Sequence, residues 1–200
     1  MNDRSEPRGG HAARLVFVCY ANHCRSPMME LLLRAALDRS ALDRSDDPRL
    51  VVSSAGTHAR PGVAAHPYAV QALAEHDVDA GGWRSTRLDV EDVERADLIL
   101  TAATEQRQEV LALSGAAAGR TFTLLDLSAW LSAAPTGRSG TDAPTLLDVP
   151  ALLDRAAAGR ARLDDRHPGR DLPDPMGRSL RHFRRCRRRI EDALEPFLAG

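Results

Sequence analysis

The feature that most constrains the fold is a short apolar run that ends in a cysteine. Residues 14–18 read Arg-Leu-Val-Phe-Val, and a continuous run of this kind is typical of a strand buried on both faces of a parallel sheet. Cys19 ends the run. Ser26 and Pro27 then favour the start of a helix, because Ser caps a helix N-terminus and Pro fits its first turn. The sequence therefore predicts a strand, a tight loop and a helix, with Cys19 at the end of the strand.

Strand and helix patterns alternate along the rest of the chain. Further strands are predicted at 50–54, 96–101 and 121–125, and helices at 27–42, 67–76, 90–95, 104–113 and 179–198. This alternation predicts an α/β fold with a mainly parallel sheet.

Two segments fall outside the alternation. Residues 1–13 are mostly polar and are predicted to form a flexible N-terminal tail. Residues 132–170 are rich in Ala, Gly, Pro, Asp and Arg, and are predicted to form an insertion that is mobile at both ends. One short helix is expected inside it, near 146–157. We expect residues 14–200 to form a single domain that includes this insertion.

The loop after the first strand has the composition of a phosphate cradle. Arg25 follows Cys19 in a Cys-x5-Arg spacing, and a guanidinium grips two phosphate oxygens at once. Backbone N–H groups and the helix N-terminus add positive charge, which also favours the thiolate form of Cys19. Ser26 can donate a hydrogen bond to that thiolate, and Asn22 tolerates the left-handed backbone that a tight curl requires. The loop therefore predicts phosphoryl transfer to the sulfur of Cys19.

Phosphoryl transfer also needs a general acid, because a departing alkoxide or phenoxide requires a proton. Asp174 lies in a loop stiffened by Pro173 and Pro175, just before the last predicted helix, and Asp171 is the alternative. The local pattern neither chooses between these two carboxyl groups nor places either of them near Cys19.

Residues 17–30 resemble the active-site signature of the low-molecular-weight protein tyrosine phosphatases, Cys-x-Gly-Asn-x-Cys-Arg-Ser-Pro-Met-x-Glu. The sequence matches this signature at Cys19, Asn22, Cys24, Arg25, Ser26, Pro27, Met28 and Glu30. Three further segments resemble the family in the same order along the chain, namely 54–57, 96–101 and 174–175. The resemblance covers most of the chain from Arg14 onward, apart from the insertion.

This resemblance implies a three-layer α/β sandwich, in which a four-stranded parallel sheet carries helices on both faces. It implies hydrolysis of phosphomonoesters through a phosphocysteine on Cys19, with Arg25 binding the phosphate. Asp174 would protonate the leaving group and later activate water. No cofactor or metal is implied. The expected substrate is a phosphorylated protein, first of all one carrying phosphotyrosine, or a small phosphomonoester.

The resemblance also assigns supporting roles around the loop. Tyr20, Ala21, Asn22, His23, Cys24 and Ser26 would form the phosphate-binding loop, Ser54 would support it through Asn22, and His58 and Met176 would border the substrate pocket. Two alternatives stay open for Cys24: a redox partner that forms a reversible disulfide with Cys19, or a packed core thiol.

The sequence departs from the family at positions around the loop. Ala21 stands where the family has glycine, so the loop is strained if that position requires a positive φ. Met176 replaces an aromatic residue, His58 a Trp or Tyr, Trp83 a loop-supporting histidine, and Ala102 a methionine. These changes keep the reacting groups and alter those that would surround an aryl substrate.

His23 bears on a phosphoarginine substrate. Enzymes of the family that act on phosphoarginine carry a small hydroxyl residue at its position. An imidazole does not match that pattern, so His23 does not favour phosphoarginine. Beside the cradle, it would narrow the pocket or contact the substrate.

Composition narrows the function classes. The net charge of −1 gives no support to nucleic-acid binding, and no apolar run approaches the roughly 20 residues of a transmembrane helix. Three cysteines without a regular framework argue against a disulfide-stapled secreted domain, so we expect a cytoplasmic protein. We also expect a monomer or a weak dimer. The histidines show no metal-ligand spacing. The arginine cluster at 181–189 is interpreted as a solvated helix face.

Two rival functions remain. The first is an arsenate-reductase-like redox enzyme, which needs downstream cysteines to relay a disulfide, yet the chain has no cysteine between Ser26 and Arg185. The second is a non-catalytic module that binds a phosphorylated partner, which the departures at Ala21, Trp83 and Met176 keep open.

Overall fold

The computed structural model describes residues 12–40, 50–135, 146, 148–163 and 171–198. Its sheet is parallel throughout, with the strand order β2-β1-β3-β4. The strands are β1 (Ala13–Cys19), β2 (Leu50–Gly56), β3 (Leu98–Thr101) and β4 (Thr121–Thr123). The helices are α1 (Arg25–Ser40), α2 (Pro67–Ala74), α3 (Val90–Arg95), α4 (Thr104–Leu113), α5 (Leu124–Ala133), α6 (Val149–Arg160) and α7 (Leu180–Leu198), with a 3-10 helix at Gly115–Arg120.

Alternate residues of β1 face two separate apolar cores. Leu15 and Phe17 lie in a large core that contains buried residues of α1, α2, α5, α6 and α7. Val16 and Val18 lie in a smaller core with residues of α3, α4 and the 3-10 helix. A strand covered on both faces must be apolar at every position, which explains its continuous apolar run. The predicted four-stranded parallel sheet with helices on both faces is confirmed.

The prediction for the fourth strand was wrong at its end, and α5 was not predicted. β4 stops at Thr123, and α5 begins at Leu124, where the sequence favoured a strand as far as Leu125. The Thr123 side chain accepts a hydrogen bond from the backbone N–H of Asp126 (3.1 Å) and so caps the helix. β1 also begins at Ala13, one residue inside the predicted tail, and residues 1–11 of that tail lie outside the described residues.

The helix predicted inside the 132–170 segment is α6, and it is part of the main core. Val149, Leu152 and Ala156 are buried in the large core described above. Gly159 lies so close to α5 that a Cβ atom on it would stand 1.7 Å from the carbonyl oxygen of Trp130. The segment therefore closes the core through α6, while the ends predicted to be mobile fall largely outside the described residues.

α7 completes the large core with one face and exposes the other. Phe183, Cys186, Ile190, Leu194 and Phe197 are buried, and Arg181, Arg185, Arg188 and Arg189 are exposed, as the interpretation of a solvated face requires. That interpretation was wrong for Arg187, which is buried and paired with Glu191, and Arg184 is half-buried in an ion pair with Glu75. Nowhere in the described ranges does a helix combine the length and apolar character needed to cross a membrane.

Replacing Gly159 with alanine is expected to lower stability. The new methyl group would collide with the backbone of α5 rather than with a movable side chain, and overpacking of this kind costs about 1–3 kcal/mol. In a chain of this size each kcal/mol corresponds to roughly 2–4 °C in Tm. Thermal unfolding followed by circular dichroism measures the change. Gly119→Ala is the matched control, because a Cβ there meets nothing within 4 Å; equal Tm values for the two variants would contradict the predicted α5–α6 contact.

Candidate active site

The loop from Cys19 to Arg25 lies at the carboxyl edge of the sheet. β1 ends at Cys19 and α1 begins at Arg25, so the loop connects a central strand to a helix N-terminus. β1 has β2 on one side and β3 on the other, so the strand order reverses at β1, and ligand sites in open α/β sheets lie at the carboxyl ends of the strands beside such a reversal. The side chain of Cys19 is buried at the floor of the resulting cleft.

The curl of the loop is concentrated at Asn22. Its φ is 46°, and in the described ranges the only other non-glycine residue with a positive φ is Asp77. Ala21 therefore occupies an ordinary backbone conformation. The strain expected at Ala21 is absent, because the left-handed position is the next residue, where asparagine is tolerated.

Gly56 lets the end of β2 approach the loop closely, and sequence reasoning did not single it out. A Cβ atom on Gly56 would lie 2.6 Å from the backbone nitrogen of Asn22 and 2.7 Å from the carbonyl oxygen of Tyr20. The next two residues continue the contact, since the Thr57 N–H donates to the Cys19 carbonyl (3.1 Å) and the His58 N–H to the Tyr20 carbonyl (2.8 Å). The glycine of the family-like segment 54–57 was the available signal.

Ser26, Asn22 and Ser54 converge beneath the sulfur. The hydroxyl of Ser26 donates to Cys19 Sγ over 3.0 Å. The amide nitrogen of Asn22 donates to Ser26 Oγ (2.8 Å) and to Ser54 Oγ (2.9 Å), and all three side chains are buried. The geometry thus brings Ser54 to the position that the resemblance implied for it.

An ion pair links Arg25 to the loop before α7. Arg25 Nη2 lies 2.6 Å from Asp174 Oδ2, and Nη1 donates to the carbonyl of Leu172 over 3.3 Å. The Leu172 N–H donates to the carbonyl of Ala102 at the end of β3 (2.8 Å), and Asp174 Oδ1 accepts from the Met176 N–H (3.0 Å). The Asp174 carboxyl, 49% exposed, is thereby held at the rim of the cleft.

Asp171 has a different partner. Its Oδ1 accepts from both the backbone N–H and the hydroxyl of Thr104, each over 2.8 Å. Thr104 is the first residue of α4, so Asp171 satisfies a free N–H group at a helix start. Asp174 lines the cleft and Asp171 does not, a distinction that sequence alone did not provide.

The cleft is open and has a volume of about 310 Å³. All residues of the loop from Cys19 to Arg25 except Asn22 line it, together with Asp174 and Met176. Of the two predicted pocket residues, Met176 lines the cleft directly, whereas His58 stands behind Tyr20. The Tyr20 and His58 rings are stacked, with centroids 4.4 Å apart and planes 11° from parallel.

His23 connects the loop to the start of α2. Its ring meets the edge of His66 at 5.5 Å, and its backbone carbonyl accepts from the His66 N–H (2.9 Å). His66 stacks on Phe183 of α7 (4.6 Å). Partial burial, and to a lesser extent the neighbouring His23, lower the pKa of His66. His23 is therefore a fixed wall of the cleft, backed by packed rings.

The other two cysteines are buried thiols. Burial, with a smaller contribution from Cys19, raises the pKa of Cys24 far above its ordinary value. Burial raises the pKa of Cys186 to about 12. All three cysteines are free. In the part of the chain that the structure describes, no three His, Cys, Asp or Glu side chains gather closely enough to hold a metal ion.

The fold and the cleft together define a cysteine-dependent phosphatase. A sequence model of the low molecular weight phosphotyrosine protein phosphatases matches residues 14–146, and the chain belongs to this family. Members of the family are hydrolases that cleave phosphoesters through an active-site cysteine.

Two curated relatives and one solved structure illustrate the similarity. The chain is 38% identical over 110 residues to the probable low molecular weight protein-tyrosine-phosphatase EpsP of Ralstonia solanacearum, and 36% identical over 110 residues to the protein-arginine-phosphatase of Bacillus subtilis. Each alignment covers 55% of this chain and 69% of the relative. The arginine phosphatase YwlE, solved with its active-site cysteine replaced by a phosphorylated serine, superposes with a TM-score of 0.65 at 25% identity, covering 92% of this chain and 93% of YwlE.

Substituting Gly56 with alanine is expected to damage the site more than the fold. The added Cβ must push the backbone at Tyr20 and Asn22 out of place, and a displacement of about 1 Å in a catalytic group costs about 100-fold in rate. We expect kcat/KM for p-nitrophenyl phosphate to fall by at least that factor. Gly82→Ala, where a Cβ meets nothing within 4 Å, should leave the rate unchanged. An active Gly56→Ala variant would show that the loop does not require this contact.

Proposed function

We propose that this chain hydrolyses phosphotyrosine in proteins through a phosphocysteine formed on Cys19. The observation that carries the proposal is the position of Cys19 Sγ. It lies at the end of a central strand, accepts a hydrogen bond from Ser26, and faces a cleft whose rim holds Arg25 and Asp174.

In the first step the Cys19 thiolate attacks phosphorus and forms the S–P bond while the P–O bond to the leaving group breaks. Backbone N–H groups of the loop and the N-terminus of α1 stabilise the negative charge on the phosphoryl oxygens. The guanidinium of Arg25 binds two of these oxygens. Protonated Asp174 gives its proton to the leaving oxygen, which departs as an alcohol or phenol.

In the second step water attacks the phosphorus of the phosphocysteine. Asp174, now a carboxylate, accepts a proton from that water. The S–P bond breaks and its electron pair returns to Cys19. The hydroxyl of Ser26, 3.0 Å from Sγ, stabilises the thiolate as it departs. Inorganic phosphate is released and the resting site is restored.

Two exposed side chains support an aromatic substrate. Tyr20 is 47% exposed and Met176 is 46% exposed, and both line the cleft. A phenyl ring packs favourably against an aromatic face and against a thioether. His58 holds the Tyr20 ring in place by stacking on it. His23 fills space beside the phosphate loop and, as a large imidazole, does not favour phosphoarginine.

The arsenate-reductase alternative finds little support at Cys186. A disulfide relay needs a thiolate that can leave the core, and Cys186 is buried in α7 with its pKa raised to about 12.

We further propose a cytoplasmic location and a monomeric or weakly dimeric state. Free cysteines suit a reducing compartment, and the net charge of −1 gives no support to a nucleic-acid partner.

Three substitutions test the assigned roles. With p-nitrophenyl phosphate as substrate, Cys19→Ser is expected to abolish turnover, and Asp174→Asn to lower kcat by about 100-fold or more. Asp171→Asn removes the same charge three residues away. It is the matched control and should retain kcat, with a stability loss of about 1 kcal/mol from the weakened start of α4.

Several outcomes would contradict these assignments. Turnover that survives in Cys19→Ser would exclude the phosphocysteine mechanism. Equal rates for Asp174→Asn and the unmodified chain would move the acid role elsewhere. Vanadate binding without detectable turnover in the unmodified chain would favour the phosphate-binding module. Thiol-dependent arsenate reduction would favour the redox enzyme.

The substrate preference can be tested at Met176. Met176→Ala removes an apolar contact for a ring, so KM for a phosphotyrosine peptide is expected to rise about three- to tenfold while kcat changes little. The same peptide carrying phosphoarginine serves as the comparison substrate, and its hydrolysis should be slower than that of the phosphotyrosine peptide. Faster hydrolysis of the phosphoarginine peptide would overturn the proposed preference.

A further inference from the structure

We propose that Trp83 and Glu30 are positioning residues for catalysis, and that they orient the hydroxyl of Ser26 toward Cys19 through a buried chain of hydrogen bonds. This inference rests on the proposed function, since it assigns a cause to the orientation of a group beside the nucleophile. Neither residue lines the cleft, so both act through others.

The chain of hydrogen bonds is continuous from Trp83 to the sulfur. The indole Nε1 of Trp83 donates to Glu30 Oε2 over 3.0 Å. Ser54 Oγ donates to the same carboxylate oxygen over 2.5 Å. The steps from Ser54 to Asn22, from Asn22 to Ser26 and from Ser26 to the sulfur measure 2.9, 2.8 and 3.0 Å. Every member except Trp83 is buried, and Trp83 is half-buried.

The direction of each bond follows from the number of protons available. An ionised carboxylate only accepts hydrogen bonds, so Ser54 donates its single hydroxyl proton to Glu30 and must accept from Asn22. The amide of Asn22 has two protons and gives one to each serine. Ser26 then accepts from Asn22 and keeps its own proton for Cys19. The alternative acceptor for that proton, the carbonyl of Ala55, is farther away at 3.4 Å.

The orientation of the Asn22 amide is fixed independently. The backbone N–H of Thr86 donates to Asn22 Oδ1 over 2.7 Å, so the oxygen faces Thr86 and the NH2 group faces the two serines. Thr86 and Trp83 lie in one short segment with Ser85, whose hydroxyl donates to the carbonyl of Arg60 (2.6 Å) and accepts from the Val63 N–H (3.0 Å). The segment from Trp83 to Thr86 therefore supports the chain of hydrogen bonds at two points, Glu30 and Asn22.

Arg34 and Trp83 hold the carboxylate at the far end of the chain. Arg34 Nη2 lies 2.9 Å from Glu30 Oε1 and also donates to the carbonyl of Val52 (2.5 Å). With Ser54, these groups give Glu30 three donors and no competing acceptor, which suits a buried negative charge. An indole can only donate, whereas a histidine donates or accepts according to its tautomer and changes charge between about pH 5 and 8. Trp83 therefore gives the chain one direction at every physiological pH.

Trp83→Phe tests the inference because it keeps the ring and removes the N–H group. We expect kcat/KM for p-nitrophenyl phosphate to fall about three- to tenfold. The pH of half-maximal alkylation of Cys19 by iodoacetamide should rise by roughly 0.5 unit, because a weaker donor stabilises the thiolate less. Trp83→His, which retains an N–H donor, should recover part of the rate at pH 8. Trp130→Phe, in the other tryptophan of the chain, is the control and should change neither value.

Glu30→Gln tests the same chain of hydrogen bonds by replacing the carboxylate that accepts from Trp83 and Ser54. The amide of a glutamine can donate to Ser54, so Ser54 no longer has to give its own proton to residue 30, and the fixed direction of the chain is lost. We expect kcat/KM to fall on the order of 30-fold, and the pH of half-maximal alkylation of Cys19 to rise as in Trp83→Phe.

The failures of the two proposals are distinguishable. If the unmodified chain turns over the substrate but Trp83→Phe matches it in both rate and alkylation, the inference is wrong and the proposed function stands. A slow Trp83→Phe variant with an unshifted alkylation curve also overturns the inference, because the effect then does not pass through the sulfur. If the unmodified chain shows no turnover and no alkylation at Cys19, the proposed function itself fails.

Discussion

The parallel pairing of β1 with both neighbours is the constraint on which the site depends. It brings the ends of three strands to one edge, so that Cys19, Gly56 and Ala102 lie side by side although they are far apart in sequence. Gly56 then contacts the loop from Cys19 to Arg25 directly, and Ala102 anchors the loop that holds Asp174. Both contacts lie at the carboxyl ends of the strands, so weakening either one is expected to change the shape of the cleft before it changes the fold.

Local patterns were sufficient for the elements on either side of Cys19. The apolar run before Cys19, the helix start after Ser26 and the spacing to Arg25 each depend on neighbouring residues, and the structure has the predicted strand, loop and helix there. α5 was missed because its apolar residues continue the pattern of β4 without a break, and the change is set by one capping hydroxyl at Thr123. The boundaries of α1 to α4 and α7 differ from prediction by two residues or fewer, and those of α6 differ by three.

Contacts between distant segments were beyond sequence reasoning. Asp171 and Asp174 have the same chemistry and similar surroundings in the sequence, and they differ only in what the fold places opposite them, Thr104 or Arg25. Trp83 looked like the loss of a supporting histidine, since nothing local shows that its indole reaches Glu30 across 53 residues. Ala21 looked like a source of strain because the pattern does not reveal which residue of a curl adopts the left-handed backbone.

Because Arg25 and Asp174 form an ion pair, a side chain of the protein itself already occupies part of the cleft. Asp174 behaves as a tethered anion that competes for the guanidinium at a high local concentration. Monovalent anions such as chloride or a free carboxylate must displace this tethered group for little gain, whereas a phosphate dianion brings more charge and more acceptors to the loop. Under the proposed function, phosphate would take Arg25 and release Asp174 at the rim beside the leaving oxygen, where the carboxylate must gain a proton before it can act as the acid. Discrimination among anions and release of Asp174 would then both follow from one exchange, in which phosphate replaces Asp174 as the partner of Arg25.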